Sequence, residues 1–331
     1  MKVLVIGGTG FIGPHVVRRL LDRGHDVAVF HRGKSKADLP VEHVLGDRSA
    51  VPKIKADVVI DLILSSGKQA QALMNTFRGV ARRVIAISSC DVYRACGILH
   101  GSEDGPLQPV PLTEDSELRT KPQTYPPQQL EKARQFYPWI DDEYDKIPME
   151  RAIMGDSELP GTVCRLPMVY GPGDPARRFF PTLRRIADAR PAIIFEETFA
   201  AWKAPRGYVE NVAEAIALAA TDDRAINRIY NVADRPAFSE LQWARKIADA
   251  AGWRGRFVVL PKDRVPKHLY FPGNAAQHWE TDTSRIRNEL GFGECVSVEE
   301  GVQRTVEADL PTLPAEFYMY PIDYAAEDAA L

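Results

Sequence analysis

The 331-residue sequence contains few cysteines, no long apolar run and no excess of positive charge. Cys90, Cys96, Cys164 and Cys295 lack metal-ligand spacing, so we expect free thiols, no metal site and a reducing compartment. The apolar runs are too short to span a membrane, and a strand predicted from residue 2 leaves no room for a signal peptide. The net charge of −3 favours neither nucleic acid nor an anionic membrane as a partner. We therefore expect a cytoplasmic protein that acts on a small molecule.

The first half of the chain alternates short apolar, β-branched runs with amphipathic helical patterns. The predicted strands are residues 2–6, 26–30, 41–45, 57–62, 83–88, 162–166 and 229–232, with helices over 16–21, 69–77 and 212–220. This alternation predicts an α/β fold with a doubly wound parallel (Rossmann) sheet and a ligand crevice at the carboxyl ends of the strands.

Two domains are expected from the way this alternation ends. Residues 1–171 would form a dinucleotide-binding domain to which 206–235 return, and residues 172–205 and 236–331 would form a smaller α/β substrate lobe. The stretch 94–141 is rich in proline and has little periodicity. So long a loop in a compact domain is expected to be a lid over the crevice or a structural insertion.

The first strand runs into a glycine-rich turn that precedes a helical pattern. Gly7, Gly10 and Gly13 follow one another at intervals of three residues. A helix start offers unpaired N–H groups and a positive dipole end, and the missing Cβ atoms let a pyrophosphate approach the backbone. A dinucleotide site is therefore favoured over a purely structural glycine turn.

The residues after the second strand indicate which dinucleotide is bound. An NAD site of this fold ends that strand with an acidic residue, which accepts hydrogen bonds from the ribose hydroxyls. Here the sequence is His31-Arg32-Gly33-Lys34, without a carboxylate. His31, Arg32 and Lys34 predict a cationic pocket for a 2′-phosphate, so NADP is the first choice and NAD the second. The alternative is a charged loop that is merely solvated.

Four stretches resemble the extended short-chain dehydrogenase/reductase superfamily, in particular an atypical member of the NAD-dependent epimerase/dehydratase family. They are residues 7–13, 88–93, 165–172 and 206–213. The resemblance implies a nicotinamide cofactor and a substrate, often a nucleotide sugar, in the C-terminal lobe. Asp47 would contact the adenine amino group, and Lys146 would hold the nicotinamide ribose. The cofactor-binding residues beyond His31 and Arg32 would be Gly7, Thr9, Gly10, Phe11, Ile12, Gly13, Asp47, Leu62, Lys146 and Pro167.

The resemblance also implies a catalytic serine. Ser89 lies four residues before Tyr93, where the family has a Ser or Thr that hydrogen-bonds the reacting substrate oxygen. The alternative is a serine that satisfies backbone groups at a strand end. Dehydratases of the family place an acidic pair directly after this residue. Here the pair is Cys90 and Asp91, so only half of it is present.

The family's Tyr-x-x-x-Lys pair is missing from the expected region. With Lys146 aligned, Asp142 occupies the tyrosine position, and Tyr144 lies only two residues before the lysine. Pro148 is tolerated only in a first helical turn, which predicts a helix with Asp145 as its N-cap. Tyr144 would then lie outside the helix and could converge with Lys146 on the crevice to carry proton transfer. The alternative is that Tyr144 is a packing residue.

Substrate contacts are expected from Cys90, Met168, Arg177 and Arg206. Relatives that bind nucleotide sugars tend to have Asn where this chain has Met168, which argues against such a substrate. Arg206 occupies a diphosphate-binding position, although it could equally pair with Glu210.

The leading hypothesis is an NADP-linked oxidoreductase or epimerase acting on a small polar carbonyl or alcohol, or on a sugar derivative. Two alternatives remain: a non-catalytic cofactor-binding protein, regulatory or RNA-associated, on the same fold, and a dehydratase using Asp91. The aromatic residues after Pro311 are expected to pack on their own domain. A subunit contact, and so a homodimer, is the lesser possibility.

Overall fold

The computed structural model describes residues 1–34, 38–122 and 127–331. The strands are β1 Lys2–Ile6, β2 Asp26–His31, β3 Glu42–Leu45, β4 Val58–Asp61, β5 Arg83–Ser89, β6 Gly161–Leu166, β7 Met168–Tyr170, β8 Ala192–Glu196, β9 Arg206–Tyr208, β10 Ile229–Asn231 and β11 Arg256–Leu260. The helices are α1 Gly13–Asp22, α2 Gly67–Phe77, α3 Arg94–Leu99, α4 Pro127–Arg134, α5 Lys146–Met154, α6 Phe180–Ala187, α7 Glu197–Ala201, α8 Val209–Thr221, α9 Glu240–Ala250, α10 Ser284–Leu290, α11 Val298–Asp309 and α12 Tyr324–Ala330.

A seven-stranded parallel sheet forms the centre, in the order β10-β6-β5-β4-β1-β2-β3. Successive residues of β1 point to opposite faces: Val3 and Val5 pack towards α1 and α8, and Leu4 and Ile6 towards α2 and α5. The strand is buried on both faces, which explains its continuous apolar sequence. The predicted α/β class and doubly wound sheet are confirmed.

The strand order reverses between the neighbouring strands β1 and β4: β2 and β3 follow on one side of β1, and β4, β5 and β6 follow on the other side. Ile6, the last residue of β1, lies opposite Phe30 on one side and Asp61 on the other. Such a reversal opens a crevice at the carboxyl ends of the strands, because the following loops diverge there. The site described below lies at this edge.

The second half of the chain contributes both to this sheet and to smaller sheets. β10 pairs with β6 in the central sheet, β7 pairs with β9, and β8 pairs with β11. The proposed domain division stays a prediction. Among the described residues, no helix is both long and apolar enough to cross a membrane.

The first part of the proline-rich stretch, residues 94–122, is fastened to the rest of the molecule. Leu118 forms an antiparallel bridge with Tyr93, and Leu112 forms a parallel bridge with Thr281. The buried Glu114 carboxylate accepts a hydrogen bond from the backbone N–H of Asn231, at 2.9 Å. This part is therefore joined to the sheet and to the C-terminal half, and the expectation that 94–141 acts as a lid stays a prediction. Residues 123–126 of the stretch lie outside the described residues.

Candidate functional site

The glycine turn after β1 is shaped by two close approaches. Gly7 has a φ of +82°, a conformation that L side chains rarely adopt, and its N–H donates to the Phe30 carbonyl at 3.0 Å. A Cβ on Gly13 would lie 2.4 Å from the carbonyl carbon of Gly8. The N-cap Ile12 makes no side-chain cap hydrogen bond, Pro14 has no N–H, and the His15 N–H donates to the Ile12 carbonyl at 3.2 Å. The first turn of α1 therefore offers the N–H of Gly13 to a ligand. The turn therefore fits a pyrophosphate group.

A cavity of about 850 Å³ lies at the carboxyl ends of β1 to β4, bounded by this turn. Residues 136–143 line its other side. The expected cofactor residues in its wall are Gly7, Thr9, Gly10, Phe11, Ile12, Gly13, His31, Arg32, Asp47 and Leu62. Two further expected cofactor residues, Lys146 and Pro167, lie outside this wall. The volume and the glycine cradle fit a dinucleotide.

The histidine at the end of β2 belongs to a directional hydrogen-bond chain. The Gly33 N–H donates to His31 Nδ1 at 3.1 Å, so the ring proton of His31 lies on Nε2. His31 Nε2 then donates to His43 Nδ1 at 2.9 Å, and His43 Nε2 donates to the Leu39 carbonyl at 3.2 Å. The His31 ring is neutral in this arrangement, and burial together with His43 lowers the pKa of His31. The expectation that His31 adds positive charge is therefore wrong, because its ring nitrogens are committed as one acceptor and one donor.

Positive charge at this end of the cavity comes from Arg32 and Lys34. Both line the cavity beside Asp47, whose carboxylate accepts the backbone N–H and the hydroxyl of Ser49. These hydrogen bonds, and then the two cations, lower the pKa of Asp47.

An ion pair beneath the cavity was not predicted from the sequence. Asp61, the last residue of β4, is fully buried, and Arg48 Nη1 lies 2.6 Å from its Oδ2. Burial raises the pKa of Asp61, and Arg48 opposes this shift. Arg48 follows β3, so the pair joins loops at the ends of two non-adjacent strands. The sequence signal that could have predicted this pair is the acidic residue Asp61 at the end of a buried strand beside the glycine turn.

Ser89 lies at the end of β5, where its Oγ accepts the backbone N–H of Asp91 at 3.2 Å. This contact is the backbone role considered as the alternative, and it leaves the hydroxyl proton available for donation. Cys90 is buried, with its Sγ 3.7 Å from the Arg165 carbonyl, and burial raises the pKa of its thiol. Its thiol therefore stays protonated and unreactive.

Helix α5 begins at Lys146, and the Oδ1 of Asp145 accepts the backbone N–H of Ile147 at 3.0 Å. The predicted helix start and N-cap are confirmed. Tyr144 lies outside the helix and donates its phenolic O–H to Oδ2 of Asp91 at 3.0 Å.

The ammonium of Lys146 lies close to this pair. Its Nζ donates to the carbonyls of Leu64 and of Ile87, the latter at 3.1 Å, and lies 5.8 Å from the ring centroid of Tyr144. Burial lowers the pKa of Lys146 to about 8, although Asp91 partly opposes the shift. The structure thus brings Tyr144, Lys146 and Asp91 together. In contrast, Asp142 is exposed and pairs with Arg134 at 2.6 Å, away from this cluster.

Residues 136–143 connect the cavity to this cluster. Trp139 lines the cavity, and its ring centroid lies 5.1 Å from Nζ of Lys146. Asp141 accepts hydrogen bonds from the hydroxyls of Ser65 and Ser66, at 2.9 and 2.6 Å, which attaches the segment to the loop after β4. On the outer side, Phe136 contacts the aromatic tail.

The expected substrate residues do not converge on the described cavity. Arg206 pairs with both oxygens of Glu240, at 2.6 and 2.8 Å, and lies 4.8 Å from the Trp243 ring. Its alternative partner, Glu210, instead pairs with Arg19 and Arg304, so that part of the expectation is wrong. Half-buried Met168 packs against the apolar cluster that contains Cys90.

Comparison with known proteins identifies the N-terminal part of the chain. Residues 3–123 match the model of the NAD dependent epimerase/dehydratase family. The matched stretch begins within β1 and includes the glycine turn and β2 to β5. The resemblance stated from the motifs is confirmed.

Two known proteins are similar to the chain over most of its length. The UDP-N-acetyl-alpha-D-glucosaminuronate decarboxylase of Bacillus cytotoxicus is 24% identical and covers 92% of this chain and 97% of the relative. The 2'-dehydrokanamycin reductase of Streptomyces kanamyceticus is 28% identical, with 81% of this chain and 72% of the relative covered. The expectation of an enzyme is confirmed.

Among solved structures, MoeE5 in complex with UDP-glucuronic acid and NAD has the same fold. Its TM-score is 0.67 at 21% identity, with 95% of this chain and all of that chain covered.

Proposed function

We propose that this protein is an oxidoreductase, NADP-linked, that interconverts an alcohol and a carbonyl in a small polar molecule such as a sugar derivative. Bound NADP(H) would accept or supply a hydride at C4 of its nicotinamide ring. The glycine turn and the N–H of Gly13 at the start of α1 would hold the pyrophosphate. The proposed proton transfer is carried by side chains at the end of β5 and at the start of α5.

One observation carries the proposal: the Tyr144 hydroxyl is hydrogen-bonded to Asp91 beside the Lys146 ammonium. A phenol in this position can exchange a proton with a substrate oxygen. During reduction Tyr144 would give its proton to the oxygen that becomes a hydroxyl. Ser89 would donate a hydrogen bond to the same oxygen.

Arg32 and Lys34 support NADP rather than NAD as the cofactor. Both line the cavity just beyond β2, and no carboxylate ends that strand. A 2′-phosphate on the adenosine ribose would accept charge-assisted hydrogen bonds from them, whereas NAD would meet no acidic partner for its ribose hydroxyls there.

The environment of Arg206 supports a substrate without a diphosphate. Its guanidinium is already neutralised by Glu240 and is 7% exposed, so an anionic substrate group would have to displace that carboxylate. Met168 adds an apolar side chain rather than a hydrogen-bonding amide. A relative named as a reductase of 2'-dehydrokanamycin is consistent with reduction of a substrate that carries no nucleotide.

The test is a screen of polar ketones, aldehydes and oxidised sugars, in which NADPH consumption is followed by absorbance. With a substrate found, Tyr144→Phe should lower turnover about a hundredfold or more and leave NADPH affinity nearly unchanged. Lys146→Ala should lower both. Tyr324→Phe, which removes a hydroxyl bonded to Asp188, is the control. Full activity of Tyr144→Phe would contradict the role of Tyr144 and move it to Asp91 or to a water held by Ser89.

A further inference from the structure

A buried arginine in the insertion contacts both segments that carry the proposed catalytic groups. Arg119 is 5% exposed and follows the bridge between Leu118 and Tyr93. Its backbone N–H donates to the Val92 carbonyl at 2.8 Å, which aligns the insertion with the residues directly after Ser89. The position of this side chain is thus set by backbone pairing and does not depend on a mobile loop.

All three nitrogens of the Arg119 guanidinium donate hydrogen bonds. Nε donates to the Asp91 carbonyl at 2.6 Å, Nη2 to Oδ1 of Asp145 at 3.1 Å, and Nη1 to the Lys121 carbonyl at 3.0 Å. One planar group therefore joins the turn that bears Asp91 to the N-cap of α5, the helix that begins with Lys146. Because guanidinium is rigid, it sets the spacing between the two segments.

We propose that Arg119 is a positioning residue that holds Asp91 and the start of α5 in register, so that the Tyr144 hydroxyl meets the Asp91 carboxylate. This inference rests on the proposed function, since it concerns the same proton-transfer site. It assigns the proline-rich insertion a part in that site: the insertion supplies a second cation beside Asp91, in addition to Lys146.

The charges around Asp91 support this role. Asp91 is 2% exposed, and its Oδ1 is buried without a hydrogen-bond partner among the described residues. Burial raises the pKa of Asp91, and Arg119 gives the largest opposing effect, followed by Lys146. The titratable and charged groups around it are Arg119, Lys146, Tyr144, Asp145 and the thiols of Cys90 and Cys96. The guanidinium thus opposes the effect of burial and favours the ionised form of the carboxylate, which accepts the phenolic hydrogen.

The experiment measures the titration of Asp91 directly and needs no substrate. The full-length protein is labelled with carbon-13 at aspartate carboxyls, and Asp91→Asn identifies its NMR signal. Arg119→Gln removes the charge, whereas Arg119→Lys keeps the charge and loses the planar fork. Arg94→Gln, in the same insertion but paired with Glu103 and Glu117, is the matched control.

The proposal expects Arg119→Gln to raise the midpoint of the Asp91 titration by about one to two pH units. The midpoint in Arg119→Lys should stay within about half a pH unit of the wild-type midpoint, and Arg94→Gln should leave the midpoint unchanged. An unchanged midpoint in folded Arg119→Gln would overturn the proposal, because a merely structural arginine lowers stability without moving this titration.

A second measurement decides the outcome if Arg119→Gln does not fold. With a substrate found, Arg119→Lys should lower kcat at least about tenfold while the KM for NADPH stays constant, because Arg119 does not line the cavity. Wild-type kcat in Arg119→Lys would overturn the positioning role. If the Asp91 midpoint shifts as expected but neither Tyr144→Phe nor Arg119→Lys changes turnover, the proposed function fails and the contact between Arg119 and Asp91 stands.

Discussion

Replacing Arg32 with alanine should weaken NADP binding selectively. Arg32 and Lys34 both face the cavity beyond β2, where no acidic side chain ends the strand. A charge-assisted hydrogen bond contributes about 1.5–3 kcal/mol, which corresponds to roughly 10- to 150-fold in Kd. Arg32 is exposed, so solvent and salt weaken its contact, and the loss for NADP should be about tenfold. NAD, which has no 2′-phosphate, should lose less than about twofold.

Calorimetry with NADP and NAD at low and high salt measures these affinities without a substrate. Arg82→Ala is the control, because Arg82 is an exposed arginine directly before β5, at the opposite end of the sheet from the cavity. Arg32→Asp should reverse the preference, since a carboxylate there can accept hydrogen bonds from the ribose hydroxyls of NAD. Equal affinity of the wild-type protein for both cofactors, or equal losses in Arg32→Ala, would refute the reasoning.

Three further outcomes are expected. Burial lowers the pKa of Lys146 from 10.5 to about 8, so the unfolded chain binds this proton more tightly than the folded protein does. The free energy of unfolding of the wild type, relative to that of Lys146→Met, should therefore rise between pH 8 and pH 10.5. A difference in the free energy of urea unfolding that does not change with pH would contradict this. Bound NADP should increase the protection of backbone amides from hydrogen exchange over 136–143 and leave the protection over 94–122 unchanged. Increased protection over 94–122 but not over 136–143 would show that the insertion moves. Glu150→Gln should lower the free energy of unfolding in urea by about 3–5 kcal/mol, because it leaves the buried Arg165 without its paired carboxylate. A decrease below about 1 kcal/mol would argue against a tight ion pair.

The parts of the fold that were predicted correctly are those encoded by neighbouring residues. The apolar run of β1 and the glycines that follow it lie within a short stretch, and Gly7 and Gly13 each have a steric reason to be glycine. The start of α5 was predicted for the same reason, since Pro148 and Asp145 constrain the backbone within one turn. Such signals need no knowledge of distant contacts.

The prediction for His31 was wrong for the opposite reason. Its charge depends on hydrogen bonds to His43 and Gly33, and the His43 ring reaches it only because β2 and β3 pair in parallel. The composition of a loop indicates which side chains could be cationic, but the hydrogen-bond partners decide which of them are.

The sequence by itself determined the sheet, the glycine turn for a dinucleotide and the placement of Tyr144 just outside a helix, because these follow from local backbone preferences and apolar periodicity. Only the tertiary structure decided that Tyr144 bonds Asp91, that Arg119 joins their segments, and that Arg206 is neutralised by Glu240. Each of these contacts joins residues far apart in the chain. A buried charge is stable only beside a compensating partner, and several arginines and carboxylates could have supplied one. Tertiary packing decides which partner each charge has, and a local sequence pattern carries no information about that packing.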